Sequence, residues 1–165
     1  ATKYIWLQET SAAATYSAAW NDTSPTSSVF TVGNDGQWNG SGDGMISYCF
    51  HSVEGYSKAG SYTGNGSSDG PFVYTGFRPA WVMLKRSDGG IENWQIVDNK
   101  RNAFNGRKSL LFPSSSGAEA NATNGIDFLA NGFKPRDNIG NYNTSGGTYI
   151  YLAIAQTPLK FATAG

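Results

Sequence analysis

Apolar residues recur along this chain in short bursts, separated by runs of Gly, Ser, Asn and Thr, and several bursts alternate apolar with polar positions. Alternation with a period of two marks a strand with one buried face, and no window sustains the 3.6-residue period of a helix. The pattern predicts strands over Tyr4–Gln8, Val29–Val32, Met45–His51, Ser61–Thr63, Phe72–Tyr74, Ala80–Lys85, Asn93–Val97, Ser109–Phe112, Ile126–Leu129, Gly132–Lys134 and Thr148–Ala155. Met45–His51 reads as the strongest strand of the first third. The Ala-rich piece Ser11–Ala19 fits either a helical turn or an extended segment. Many short strands at even spacing predict an all-β fold, an antiparallel β-sandwich of jelly-roll type, with one domain over residues 1–165. Ile46, Tyr48, Phe50, Val82, Leu84, Ile150 and Leu152 are its expected core set, shared between the two faces of the strands.

One motif is written twice. Phe30-Thr31-Val32-Gly33-Asn34-Asp35-Gly36-Gln37-Trp38-Asn39-Gly40-Ser41-Gly42 leads into Met45–Phe50, and Phe133–Gly146 leads into Tyr149–Ile154. Trp38 aligns with Tyr142, Asn39 with Asn143, Ser41 with Ser145 and Ile46 with Ile150, all at one offset. A weaker echo joins Tyr4–Gln8 to Trp81–Lys85. Internal repeats describe an architecture before they describe a chemistry. The expectation is two strand–turn–strand units in equivalent positions of the sandwich.

Composition narrows the partners. Charged residues are 15% of the chain, the formal net charge is zero and aromatics reach 14%. With no basic excess to neutralise phosphates, nucleic acid is not an expected partner. No apolar run approaches the roughly 20 residues of a membrane-spanning helix, so no membrane insertion is expected. The 21 glycines supply turns. Cys49 is the sole cysteine, read as a small buried hydrophobe. The opening Ala1-Thr2-Lys3-Tyr4 carries no start methionine, so the chain reads as a segment of a longer polypeptide or as a processed one.

Candidate chemistry is sparse. Cys49 and His51 share one face of a strand, yet side chains on one strand diverge, so the pair makes a poor nucleophile and base. Asp88 and Glu92 flank Gly89-Gly90, a turn and not the strand spacing of a glycosidase carboxylate pair. Asp35, Asp43 and Asp69 lie in Gly-rich loops without the spacing of a calcium loop and read as turn-stabilising residues. The chain is therefore expected to be non-enzymatic, with no cofactor and no metal. What remains is aromatic surface beside amides: the ring covers the apolar face of a sugar and the amide bonds its hydroxyls. Trp38, Asn39, Tyr62, Phe104, Tyr142 and Asn143 are the candidate recognition residues, although a repeated packing solution explains the recurring aromatic-Asn pair more simply. The long polar loops Gly64–Pro71, Asp98–Arg107 and Ser114–Gly125 are the expected recognition surface.

Ile46-Ser47-Tyr48-Cys49-Phe50-His51-Ser52-Val53-Glu54-Gly55-Tyr56-Ser57-Lys58, Gly60–Gly66, Gly70–Arg86 and the closing Asn143–Ala155 resemble a domain of unknown function from virion structural proteins of tailed, often marine, bacteriophages. The resemblance covers about residues 46–161, and residues 1–45 are similar to the end of a preceding, incomplete repeat. Relatives more often carry Phe-Ala-Glu where this chain has Ile154-Ala155-Gln156. The resemblance implies a concanavalin A/laminin-G-like sandwich in a tail fibre, spike or capsid-surface component. It also implies assembly with copies of itself and other virion proteins, as a homo-oligomer located in the virion, and contact with a host-surface glycan. It brings no catalytic residues. A carbohydrate-binding, lectin-like module is the alternative.

Overall fold

A computed structural model describes residues 2–157. The chain forms two compact units: one of the residues up to Trp6 with Ala13–Cys49, the other of Leu7–Ala12 with the residues from Phe50 onward.

In the first unit β1 (Lys3–Tyr4) pairs antiparallel with β2 (Ala14–Thr15), followed by the helical turns α1 (Ser17–Trp20) and α2 (Gly36–Asn39). The Ser11–Ala19 segment thus realises both of its readings. The chain leaves α1 through two left-handed residues, Asn21 and Asp22 (φ 48° and 51°), a conformation that Asn and Asp tolerate better than other side chains. Gly33 serves a close approach: its amide bonds the Ala19 carbonyl at 2.9 Å, and a Cβ there would collide with the Ala18 carbonyl.

The second unit is an antiparallel β-sandwich. Its strands are β3 (Ser57–Thr63), β4 (Val73–Tyr74), β5 (Pro79–Arg86), β6 (Gln95–Asp98), β7 (Arg107–Leu110), β8 (Ala120–Leu129), β9 (Gly132–Pro135) and β10 (Thr148–Ala155). One sheet has the order β3-β10-β5-β6 and the other β4-β9-β8-β7. Val82 and Leu84 of β5, Val97 of β6, Ile126 and Phe128 of β8, Phe133 of β9 and Tyr149, Tyr151 and Ala153 of β10 meet in one core. Tyr62 stacks on Tyr149 (5.0 Å), and Phe133 meets Tyr151 edge-on (5.2 Å). Such pairs add to plain area burial.

Several expectations are corrected. Met45–His51 is not a strand: Ile46, Tyr48 and Phe50 are 81%, 82% and 68% exposed. Their alternation makes them competent to form a strand, but among the described residues no neighbouring strand offers them a ladder. They therefore leave the core set, and Cys49 is exposed, not buried. Tyr4–Gln8 shortens to β1, and Val29–Val32 is not a strand. On β10 the core face is one residue out of step with expectation, because Tyr149 and Tyr151 point inward while Ile150 and Leu152 stay half-buried on the outer face. A one-residue slip in a period-two pattern exchanges the faces. The aromatic rings, larger than the aliphatic chains, fill the interior.

The written repeat survives in its turn and not in its strands. The amides of Trp38 and Asn39 donate to the Asp35 carbonyl (3.0 and 2.8 Å), and those of Tyr142 and Asn143 donate to the Ile139 carbonyl (3.3 and 2.9 Å). Asp43 bonds back to Gly40 as Gly147 does to Thr144, and Gly42 and Gly146 both hold positive φ (84° and 74°). The strands around the second turn, β9 and β10, have no counterparts around the first.

Candidate functional site

The first unit is organised around Trp38. Asp35 caps α2 by accepting from the Gln37 amide at 2.9 Å, the usual work of a short acid at a helix start, and this fixes where Trp38 emerges. Trp6 stacks on Trp38 at 5.3 Å and 12°, Trp20 lies tilted at 5.3 Å, and Tyr4 meets the Trp38 ring edge-on at 5.6 Å. The β1–β2 pairing sets Tyr4 opposite Ala14, and the Trp20 indole N–H donates to the Lys3 carbonyl at 2.9 Å. Sequence distant by tens of residues is thereby drawn into one aromatic cluster.

A cleft of about 460 Å³ opens beside this cluster, lined by Tyr4, Tyr16, Asp35, Gly36, Gln37 and Trp38. The Tyr16 hydroxyl donates to Asp35 Oδ2 at 2.9 Å. That bond and the carboxylate's charge raise the Tyr16 pKa above the ordinary tyrosine value. Trp38 Nε1 is buried without a hydrogen-bond partner among the described residues. Ring faces, one carboxylate and one amide make up the donor and acceptor set that a polyhydroxyl ligand needs.

The other candidate residues fall in the second unit and separate. Tyr142 and Asn143 are wholly buried, so neither belongs to a recognition surface. Asn143 orders the Gly64–Gly70 loop instead: its Oδ1 accepts from the Asn65 amide (2.9 Å), and its Nδ2 donates to Asn65 Oδ1, the Ser67 carbonyl and the Asp137 carbonyl (3.1, 2.6 and 3.1 Å). Tyr62 packs against the core and donates to the Tyr142 carbonyl at 2.7 Å; burial pushes its pKa well above the ordinary value. Phe104 is 84% exposed on its polar loop. Asn39 is exposed beside Trp38, which is half-buried.

A second cleft, also of about 460 Å³, is lined by Ser68, Gly106, Lys108, Asn124, Asp127 and Arg136. Its charges engage one another. Arg136 pairs with Asp127 at 2.6 Å and with Asp69 at 2.8 Å, and Asp69 also takes Lys134 at 2.8 Å. Asp69 is thus an ion-pair partner on its loop, and the Lys134 and Arg136 bonds hold its carboxyl below the usual range.

Residues 1–158 match the family model described as Domain of unknown function (DUF7483). The chain belongs to that family. No curated protein and no solved structure matches it. The DUF7483 match runs through both compact units, so the aromatic cleft and the sandwich lie within one family domain. Among the described residues of this DUF7483 chain, no helix is long and apolar enough to cross a membrane.

Sequence reasoning singled out Trp38 but missed Tyr4, Trp6, Tyr16 and Trp20 as its companions. The available signal was density: five of the chain's large indole and phenol rings fall within residues 4–38, in a region otherwise of small polar residues.

Proposed function

We propose that this chain is a non-enzymatic structural module of a bacteriophage virion, from a tail fibre, spike or capsid surface, with a concanavalin A-like sandwich. It assembles with copies of itself and with other virion proteins, and it contacts the host surface. The observation that carries this reading is the stretch Met45–Phe50, an uncharged apolar hexapeptide standing open to solvent. Contiguous apolar surface of this kind marks an interaction site. The resemblance of Ile46–Arg86 to phage virion domains supports the setting. Native mass measured over a range of concentrations tests it: trimers or larger assemblies are expected, and a chain that stays monomeric at every concentration overturns it.

The aromatic cleft favours a second reading, a carbohydrate-binding module. Titration of oligosaccharides against tryptophan fluorescence tests it. Saturable quenching in the native chain, lost in Tyr16→Ala, is expected if the cleft takes sugar; no response across a broad glycan set removes the reading.

A further inference from the structure

The hairpin leading into β3 stops early. Val53 and Ser57 form an antiparallel bridge, with the Ser57 amide donating to the Val53 carbonyl and the Val53 amide donating back, both at 2.9 Å. One residue earlier the main chain has left the edge. The Ser52 hydroxyl, not its backbone, brackets Ala59, accepting from its amide at 3.2 Å and donating to its carbonyl at 3.3 Å. Groups on the outer edge of an antiparallel strand recur at every second residue. Ser57 and Ala59 therefore set the phase, and the amides and carbonyls of Ser61 and Thr63 point to the same open edge. β3 is the end strand of its sheet, and these two residues have no main-chain partner on that side among the described residues.

The segment that leaves the edge, Met45–Phe50, carries the alternation of a strand but has no ladder partner among the described residues. The matching turns at 35–43 and 139–147 deliver Met45–Phe50 in the position that β10 occupies after the second turn. β10 is flanked by antiparallel partners on both sides, β3 and β5. Its counterpart has neither. Ile46, Tyr48 and Phe50 correspond to Ile150, Leu152 and Ile154, which form the outer face of β10.

The edge is shaped for large side chains. Ala59, Ser61 and Thr63 are small and exposed. Across the sheet Ala59 continues into the apolar row Leu152, Met83 and Ile96. A strand carrying Ile46, Tyr48 and Phe50 beside β3 extends that row by one more strand. Met45–Phe50 contains no charge, Pro or Gly to oppose pairing.

We infer that Met45–Phe50 of one copy adds as an antiparallel strand to the open Ser61–Thr63 edge of β3 in a second copy. This deepens the assembly reading above and rests on it. Strand addition takes its affinity from main-chain hydrogen bonds and its specificity from alternate side chains. The Ser52 hydroxyl ends the main-chain pairing of the hairpin at Val53, so the Ser61–Thr63 edge stays open to a strand from another copy.

A pair of introduced cysteines makes the test direct: in the added strand Tyr48 shares the face of Ser61, whereas the native Cys49 points to the other side. A Cys49→Ala, Ser61→Cys chain is mixed with a Cys49→Ala, Tyr48→Cys chain under mild oxidation, so a disulfide between the two kinds of chain joins separate copies. A Cys49→Ala, Lys108→Cys chain is the control on the opposite sheet. The expected result is a mixed disulfide with position 61 and at least tenfold less with position 108. The double variant Ile46→Lys, Tyr48→Lys is expected to run as a single chain of unchanged circular dichroism. Equal crosslinking at both positions, or assemblies that persist in the lysine variant, overturn strand addition while leaving assembly by another surface standing. A Cys49→Ala chain carrying both Tyr48→Cys and Ser61→Cys that forms its disulfide only within single chains overturns the second copy as the occupant. A native chain that never assembles overturns this inference and the assembly reading together.

Discussion

The Tyr142 hydroxyl donates to Asp137 Oδ2 at 2.6 Å inside the sandwich, although neither residue is more than 5% exposed. Asp137 also accepts from the amides of Asn124 and Gly125 at 3.0 and 2.8 Å. Burial opposes its charge, yet the donors from Tyr142, Gly125 and Asn124 hold its carboxyl below the ordinary aspartate range. A carboxylate depressed in the fold contributes stability that is present above the unfolded value of about 3.9 and is lost as pH falls through the folded value. Tyr142→Phe is expected to cost about 1–3 kcal/mol at neutral pH by leaving the carboxylate one donor short. It is also expected to shrink the stability lost on acidification. Urea unfolding at pH 7 and pH 3 checks both.

Core and surface apolar residues are expected to part clearly. Leu84 is fully buried, so Leu84→Ala should cost about 2–5 kcal/mol. Ile46→Ala, at a site 81% exposed, should change stability by less than about 0.5 kcal/mol. Chemical denaturation at low protein concentration measures both.

Asp35→Asn keeps an N-cap for α2 and removes the charge facing Tyr16. The Tyr16 titration, raised by its hydrogen bond to Asp35 and by that charge, is expected to fall back toward the ordinary tyrosine value. Ultraviolet difference titration reads this shift.

The ion pairs of Arg136 should rank by exposure. Asp69 is 73% exposed in its pairs, so Asp69→Asn is expected to have little effect on stability, and salt erases what effect there is. Asp127, with only 12% of its side chain exposed, bonds Arg136 at 2.6 Å, and Asp127→Asn should cost more and respond less to salt. Thermal melts at low and high ionic strength distinguish the two.

Sequence reading located β5, β9 and β10 to within two residues because β5 and β10 are short apolar runs bounded by Pro or Gly and β9 sets Phe133 between Gly132 and Pro135. It misplaced Met45–His51 because alternation reports competence to pair and says nothing of whether a neighbour exists. Trp38 and Tyr142 show the same limit. The same local words fold into the same turn, but one ring joins a cluster beside a cleft while the other is sealed in a core. The difference rests on residues far along the chain, on Tyr4, Trp6 and Trp20 in one case and on Tyr62 in the other, and locally on Asp137, where the first copy has Gly33. The aromatic cleft was legible only as an unusual density of rings.

β10 lies between β3 and β5, about 90 residues downstream of its β3 partner. During synthesis the sheet therefore lacks its middle until residue 155 has emerged, with β3 and the β5–β6 pair waiting on either side of a gap. Contacts of such wide sequence separation close slowly, since loop-closure entropy is spent before they form. Late arrival of the central strand makes the order of emergence from the ribosome a feature of this fold, and a stalled chain ending before Thr148 is the form most exposed to mispairing.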